Sequence, residues 1–155
     1  MHKPAWDDYF ISIAHAIKVR SSCSRRQVGA LIVNGKQIIS TGYNGTPHKI
    51  RNCNEGGCER CSAPPEVYPP GTNYDKCTCS HAEENAIVHA ARHGMMTKGC
   101  DIYTTHSPCI QCAKMIINAG IQKVVHGIDY PDDLGKKLLK EAKIEVIKVN
   151  EQCQV

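Results

Sequence analysis

No stretch of this chain approaches the roughly 18 consecutive apolar residues that a membrane helix needs. The sequence therefore predicts no membrane partner. The first residues, Met1 to Asp8, hold no apolar core of the kind a secretory signal carries, and they include the acids Asp7 and Asp8. This predicts a cytoplasmic location. There is also no internal repeat and no low-complexity tail. At 155 residues with ordinary apolar and charged content, the chain reads as one soluble globular domain over 1–155.

What the chain does have is cysteine, ten of them. In a secreted protein that number would suggest a disulfide framework. In a cytosolic chain whose cysteines fall in CxxC spacing near an HxE, it suggests metal and catalysis. The one tight basic pair near these motifs is Arg25-Arg26. It could face a phosphate, although a solvated surface pair is the commoner reading of two adjacent arginines.

Trp6, Tyr9, Phe10, Ile13, Ala14 and Ile17 recur at three- and four-residue steps, which predicts a helix over 5–20 with one buried face. Val28 to Val33 reads as a buried strand. Asn34-Gly35 signals a hairpin, with Gln37 to Tyr43 returning as the partner strand. From 44 to 80 the pattern breaks into Gly, Pro and Cys. A loop of that length needs something to hold it, and its cysteines supply a means. The remainder alternates: helix 81–93, strand 101–105, helix 109–119, strand 123–127, helix 132–142 and strand 144–149. The order predicts a three-layer α/β/α sandwich on a five-stranded mixed sheet.

Two short segments carry the chemistry. Cys109 and Cys112 follow Pro108 at a helix start, where they share a face and where the helix dipole favours thiolates. His81 and Glu83 would diverge by roughly 200° inside a helix. At a helix start beside a loop they can converge. Together these residues supply three zinc ligands, an open position for water, and an acid/base beside it. His81, Cys109 and Cys112 are the ligands, and Glu83 is the proton carrier. Glu84 is the runner-up for that role, with a dipole-stabilising carboxylate as its plainer reading.

Cys23, Cys53, Cys58, Cys61, Cys77 and Cys79 remain, and at least four of them are expected to hold a structural zinc. Cys58, Cys61, Cys77 and Cys79 approximate a zinc-ribbon spacing. A two-zinc cluster using all six is also chemically possible. Cys100 reads as a buried strand-edge thiol and Cys153 as a free one. With one two-thiolate and one four-thiolate site filled, the net charge falls from +4 to about +2. That is short of what a nucleic-acid binder needs, so no nucleic-acid partner is expected. A non-catalytic zinc-ribbon-like nucleic-acid module is the alternative from another class. Glu83 stands against it, because a structural site does not need that carboxylate.

An H-x-E with P-C-x-x-C is the signature of the zinc nucleobase deaminases. The chain resembles the cytidine deaminase superfamily and, within it, the deoxycytidylate deaminases, over about Trp6 to Val149. The segments that carry the resemblance are Val28-Gly29-Ala30, Gly42-Tyr43-Asn44-Gly45, His81-Ala82-Glu83-Glu84-Asn85-Ala86 and Ser107 to Cys112. The cysteine-rich run from Asn52 to Cys61, with Cys77 to His81, resembles the fungal-like branch.

The resemblance implies a cytidine deaminase-like fold and the hydrolysis of dCMP to dUMP and ammonia, supplying dUMP for thymidylate synthesis. Another nucleotide, dCTP or a modified cytidylate, is the alternative substrate. It implies Cys23, Cys53, Cys58 and Cys77 as a further candidate structural set. Asn44 is expected at the sugar and phosphate, backbone groups of Ala82 and Ser107 at the cytosine edge, and Tyr130 over the base. It also implies a hexamer and a dCTP/dTTP effector site at Asn44, Gly45 and Arg92, with Mg2+ accompanying dCTP. Arg92 would lie on the same face of its helix as His81, since eleven residues are close to three turns.

Overall fold

The computed structural model describes residues 3–150; Cys153 lies outside them. The elements run α1 (Trp6–Lys18), β1 (Gly29–Asn34), β2 (Gln37–Tyr43), a short helix α2 (Glu59–Ser62), α3 (Ala82–Arg92), β3 (Asp101–His106), α4 (Ile110–Asn118), β4 (Lys123–Ile128), α5 (Leu134–Glu141) and β5 (Glu145–Lys148). The five strands lie in the order β2-β1-β3-β4-β5. β1 is antiparallel to both β2 and β3, while β3, β4 and β5 are parallel. Parallel neighbours need a crossover, and α4 and α5 supply the two.

The strands alternate in what they bury, because side chains leave a pleated strand on opposite faces. From β1, Ala30 and Ile32 pack with Ala86 of α3, Ile116 of α4 and Leu139 of α5. Leu31 and Val33 pack on the other face with Phe10, Ile11 and Ala14 of α1. The architecture is the three-layer α/β/α sandwich on a mixed sheet that the pattern predicts. Cys100 is buried within the first of these cores.

The hairpin departs from expectation in one detail. Asn34 stays in the strand, paired with Gln37, and Gly35 opens the turn with φ 62°. A left-handed residue at the first turn position suits glycine, which has no Cβ to clash.

The 44–80 segment is closed at its base by reciprocal backbone bonds between Gly45 and Ser80, at 3.2 and 2.9 Å. Between those ends its regular structure is only α2 and two single 3-10 turns, Cys53–Glu55 and Tyr74–Lys76. Its core is sulfur: Cys53, Cys58, Cys61 and Cys79 are buried together, with Cys23 and Cys77 packed against them. Arg25 ties it to the sandwich, donating to the carbonyls of Tyr68 at 2.7 Å and Ala63 at 2.9 Å.

Candidate active site

The N-terminus of α3 is pressed onto β2. A Cβ at Gly42 would collide with the carbonyl of Ala82 and the amide of Ala86, so only glycine lets the helix approach this closely. His81 is the N-cap of α3, with extended backbone at φ −78° and ψ 160°. That break from helical geometry lets His81 and Glu83 face one centre. Cys109 caps α4 in the same way, at φ −71° and ψ 172°, and Cys112 stands on the first turn of that helix. A Cβ at Gly135 would strike the Pro108 carbonyl, so α5 seats tightly behind the Pro108-Cys109 turn.

His81 Nδ1 lies 3.4 Å from Cys109 Sγ and 3.3 Å from Cys112 Sγ. Tetrahedral zinc with ordinary bond lengths would hold a nitrogen and a sulfur about 3.6 Å apart. The three donors therefore fit zinc in size and in kind. Cys112 supports Cys109 as a thiolate, pulling its pKa down to about 4. Burial opposes charge on His81, but the hydrogen bond to Cys109 and the nearby carboxylates raise it to about 9.

Glu83 is only 4% exposed. Its Oε1 stands 3.4 Å from Thr104 Oγ1 and its Oε2 3.5 Å from Cys112 Sγ. Burial pushes its carboxyl pKa up, which suits a group that must both take and give a proton. Glu84 is occupied elsewhere: its carboxylate accepts the His81 backbone N–H at 2.6 Å, the reciprocal half of a capping arrangement.

His81, Glu83 and Cys109 line a cavity of about 420 Å³, within the range of small-molecule sites. Its walls include Asn44, Ala82, Ser107 and Tyr130, all expected from sequence, and Arg25, Arg26 and Arg60. Asn44 is largely committed to the scaffold. Its Oδ1 accepts from Val28 N–H at 2.8 Å and from the Ser21 hydroxyl at 2.7 Å, and its Nδ2 donates to the Arg26 carbonyl at 2.7 Å. One amide hydrogen is left for a ligand. The Ser107 N–H is spent on the Ile128 carbonyl at 2.8 Å, so the backbone group it can offer is its carbonyl. The Tyr130 hydroxyl is buried without a hydrogen-bond partner, and the Arg26 guanidinium lies 5.5 Å from its ring centre.

Arg60 was not singled out by sequence, and Arg25-Arg26 read more readily as a solvated pair. Arg60 is 4% exposed, donates to the Thr72 carbonyl at 2.9 Å and packs over the Tyr74 ring at 4.5 Å. Its place between Cys58 and Cys61, inside the cysteine run, was the available signal.

The expected effector residues do not converge. Asn44 lines the first cavity. Gly45 lines a second one, of about 460 Å³, beside Asn85 and His89 of α3. Arg92, the last residue of α3, is exposed and lines neither. Residues 85, 89 and 92 share one face of α3, but position 92 lies about 4.5 Å beyond 89 along the helix axis, and the wall of this cavity ends at His89. Of the two expected structural zinc sets, Cys58, Cys61, Cys77 and Cys79 do form a group, with sulfurs within 4.8 Å of one another. The set Cys23, Cys53, Cys58 and Cys77 does not. Cys23 and Cys53 instead group with Cys61 and Cys79.

The cytidine and deoxycytidylate deaminase zinc-binding region matches residues 4–128. The chain belongs to this zinc-binding deaminase family. It is 39% identical over 145 residues to the deoxycytidylate deaminase of Schizosaccharomyces pombe, covering 93% of this chain and 44% of that protein. It is 37% identical over 151 residues to ComE operon protein 2 of Bacillus subtilis, covering 96% of this chain and 74% of that protein. The chain thus spans less than half the length of its fungal relative. Among solved structures, the dCMP deaminase of cyanophage S-TIM5, in complex with dCMP and dUMP, superposes with a TM-score of 0.76 at 31% identity over 96% of this chain and 100% of that one.

Proposed function

We propose that this chain hydrolyses dCMP to dUMP and ammonia, with Glu83 as the proton carrier and His81, Cys109 and Cys112 as the ligands of a catalytic zinc. The observation that carries the reading is one cavity that is lined by a buried carboxylate, by His81 and Cys109 of a His-Cys-Cys donor set, and by three arginines. Family membership and the similarity to the phage dCMP deaminase support it. Zinc held by the three donors would supply a Lewis acid that makes water nucleophilic near neutral pH.

The chain's own residues do the rest. Glu83 takes a proton from the attacking water and delivers it to the ring nitrogen. It then carries the second proton to the departing amine. The two events are sequential, so one carboxylate serves both. Ala82 is the first residue of α3, where a backbone N–H has no partner within the helix; it donates to the carbonyl of the base. The Ser107 carbonyl accepts from the exocyclic amine. Tyr130 closes over the ring, and Asn44 offers its remaining hydrogen to the sugar. Arg26 and Arg60 take the phosphate, as guanidinium groups suit phosphate oxygens.

The same reading carries over a homo-oligomer, a hexamer by resemblance, in the cytoplasm, and regulation by dCTP and dTTP. Among the described residues no helix is long and apolar enough to cross a membrane. The second cavity, flanked by Gly45, Asn85 and His89, is a better seat for an effector than Arg92, with Mg2+ accompanying a triphosphate. The deciding experiment measures ammonia release from dCMP, CMP, dCTP and deoxycytidine in parallel. The highest kcat/KM is expected for dCMP. Faster turnover of dCTP would move the assignment to the alternative nucleotide.

A further inference from the structure

We propose that Cys23, Cys53, Cys58, Cys61, Cys77 and Cys79 hold two zinc ions in one cluster, with the thiolates of Cys61 and Cys79 each bonded to both metals. The geometry carries this. Two groups of four sulfurs, Cys23/Cys53/Cys61/Cys79 and Cys58/Cys61/Cys77/Cys79, each lie within 4.8 Å. They share Cys61 and Cys79. Cys23 and Cys53 are private to one group, and Cys58 and Cys77 to the other. Tetrahedral zinc with ordinary Zn–S bonds sets its sulfurs about 3.8 Å apart. Cys23 to Cys61 measures 3.9 Å, while Cys61 to Cys77 and Cys58 to Cys77 both measure 3.8 Å. Cys61 is therefore at the edge length of a zinc tetrahedron from a private member of each group, which is what a bridging sulfur requires.

A single zinc leaves this arrangement unexplained. Structural zinc takes four ligands, so one ion in the Cys58 group would strand Cys23 and Cys53. Cys53 is fully buried, and Cys23 would sit in contact with a metal-bound sulfur. Disulfides do not account for the packing either: all of these cysteines are free, and their separations are nearly twice the roughly 2.0 Å of an S–S bond.

The surroundings match the charge of such a cluster. Six thiolates and two divalent ions sum to a dianion. Arg25 and Arg26 stand two and three residues after Cys23, and Arg60 stands between Cys58 and Cys61; all three arginines line the same cavity as Cys23 and Cys61. Two private sulfurs also accept backbone N–H groups, Cys53 from Ser24 at 3.4 Å and Cys58 from Thr78 at 3.3 Å. Such donors stabilise terminal thiolates. Four cluster residues, Cys23, Cys61, Cys77 and Cys79, also face the first cavity. The cluster is thus a wall of the candidate active site and holds the segments that bear its arginines.

The test uses the intact wild-type chain. Elemental analysis of the purified protein should give three zinc ions per chain, two in the cluster and one at His81. After exchange into the NMR-active cadmium isotope, cadmium NMR should show three resonances. Two should lie in the all-sulfur range and be split by one another, because the shared sulfurs couple the two metals. A single all-sulfur resonance, or two without mutual splitting, overturns the proposal. None of these readouts requires turnover, so failure of the cluster and failure of the deaminase reading are separate results.

Discussion

Only Ser80 separates Cys79 from His81, yet the two side chains face different candidate metal-ligand groups. The Cys79 thiol belongs to the six-cysteine cluster, and the His81 imidazole faces Cys109 and Cys112. Ser80 itself is bonded to Gly45 through both backbone groups. The cluster and the candidate catalytic centre thus flank one short segment pinned at Ser80. A change in one is expected to reach the other through three residues of backbone.

Glu83→Gln should retain its metal and lose its activity. The amide keeps the shape of the side chain but cannot move the two protons. General acid–base catalysis is worth roughly 10²–10⁴-fold, and turnover should fall by at least that much. Zinc content and kcat measured on the same preparation check it; more than a tenth of wild-type turnover would remove Glu83 from the role.

Arg26→Gln should erode the preference for a phosphorylated substrate. A hydrogen bond to a charged group is worth about 1.5–3 kcal/mol, so kcat/KM for dCMP should fall roughly ten- to hundredfold. Deoxycytidine, which lacks the phosphate, should lose little. Equal losses on both substrates would show that Arg26 acts on Tyr130 or the fold instead.

Tyr130→Phe removes a buried hydroxyl that has no partner. An unpaired buried polar group costs about 1–3 kcal/mol, so the variant should melt at the same temperature or higher. Its kcat/KM for dCMP should drop about two- to tenfold if the hydroxyl pairs with substrate. Thermal melts with and without dCMP separate these effects. Destabilisation of the free protein would contradict the structure.

His106 should make the fold acid-sensitive. Its pKa is depressed from 6.5 to about 4, first by burial and then by the positive charges of Arg26, Lys18 and His15. Between those two values the unfolded chain binds a proton that the folded chain refuses, so stability falls as pH drops through that window. His106→Gln should flatten this part of the profile. Denaturant midpoints for both proteins at pH values from about 7 down to 4 give the comparison, and parallel slopes would show that other groups govern the acid transition.

Chelation should open the 45–80 segment before it disturbs the sheet. That segment's core is made of cysteine thiols, and binding energy at a structural metal is folding energy. Limited proteolysis after zinc removal should cut between α2 and Cys77, leaving β1 to β5 protected. If the stripped protein is cut no faster than the intact one, the Gly45–Ser80 bonds and Arg25 hold the segment alone.

The sequence by itself determined the layers of the sandwich and the His81, Glu83, Cys109 and Cys112 set. Periodicity reports which side of an element is buried, and the ligand pairs lie close enough in sequence for a helix start to fix their directions. Tertiary structure alone decided the rest. Six cysteines spread from position 23 to 79 admit several pairings on spacing, and only the folded insertion sorts them into two groups sharing Cys61 and Cys79. Arg60 reads as an ordinary charged residue until burial places it in the cavity wall. Arg92 shares the helical phase of His81, Asn85 and His89, yet the cavity beside the neighbouring loop takes in Asn85 and His89 and stops short of position 92. Phase along a helix is a local property, whereas which turns of a face meet a partner depends on contacts between residues far apart in the chain.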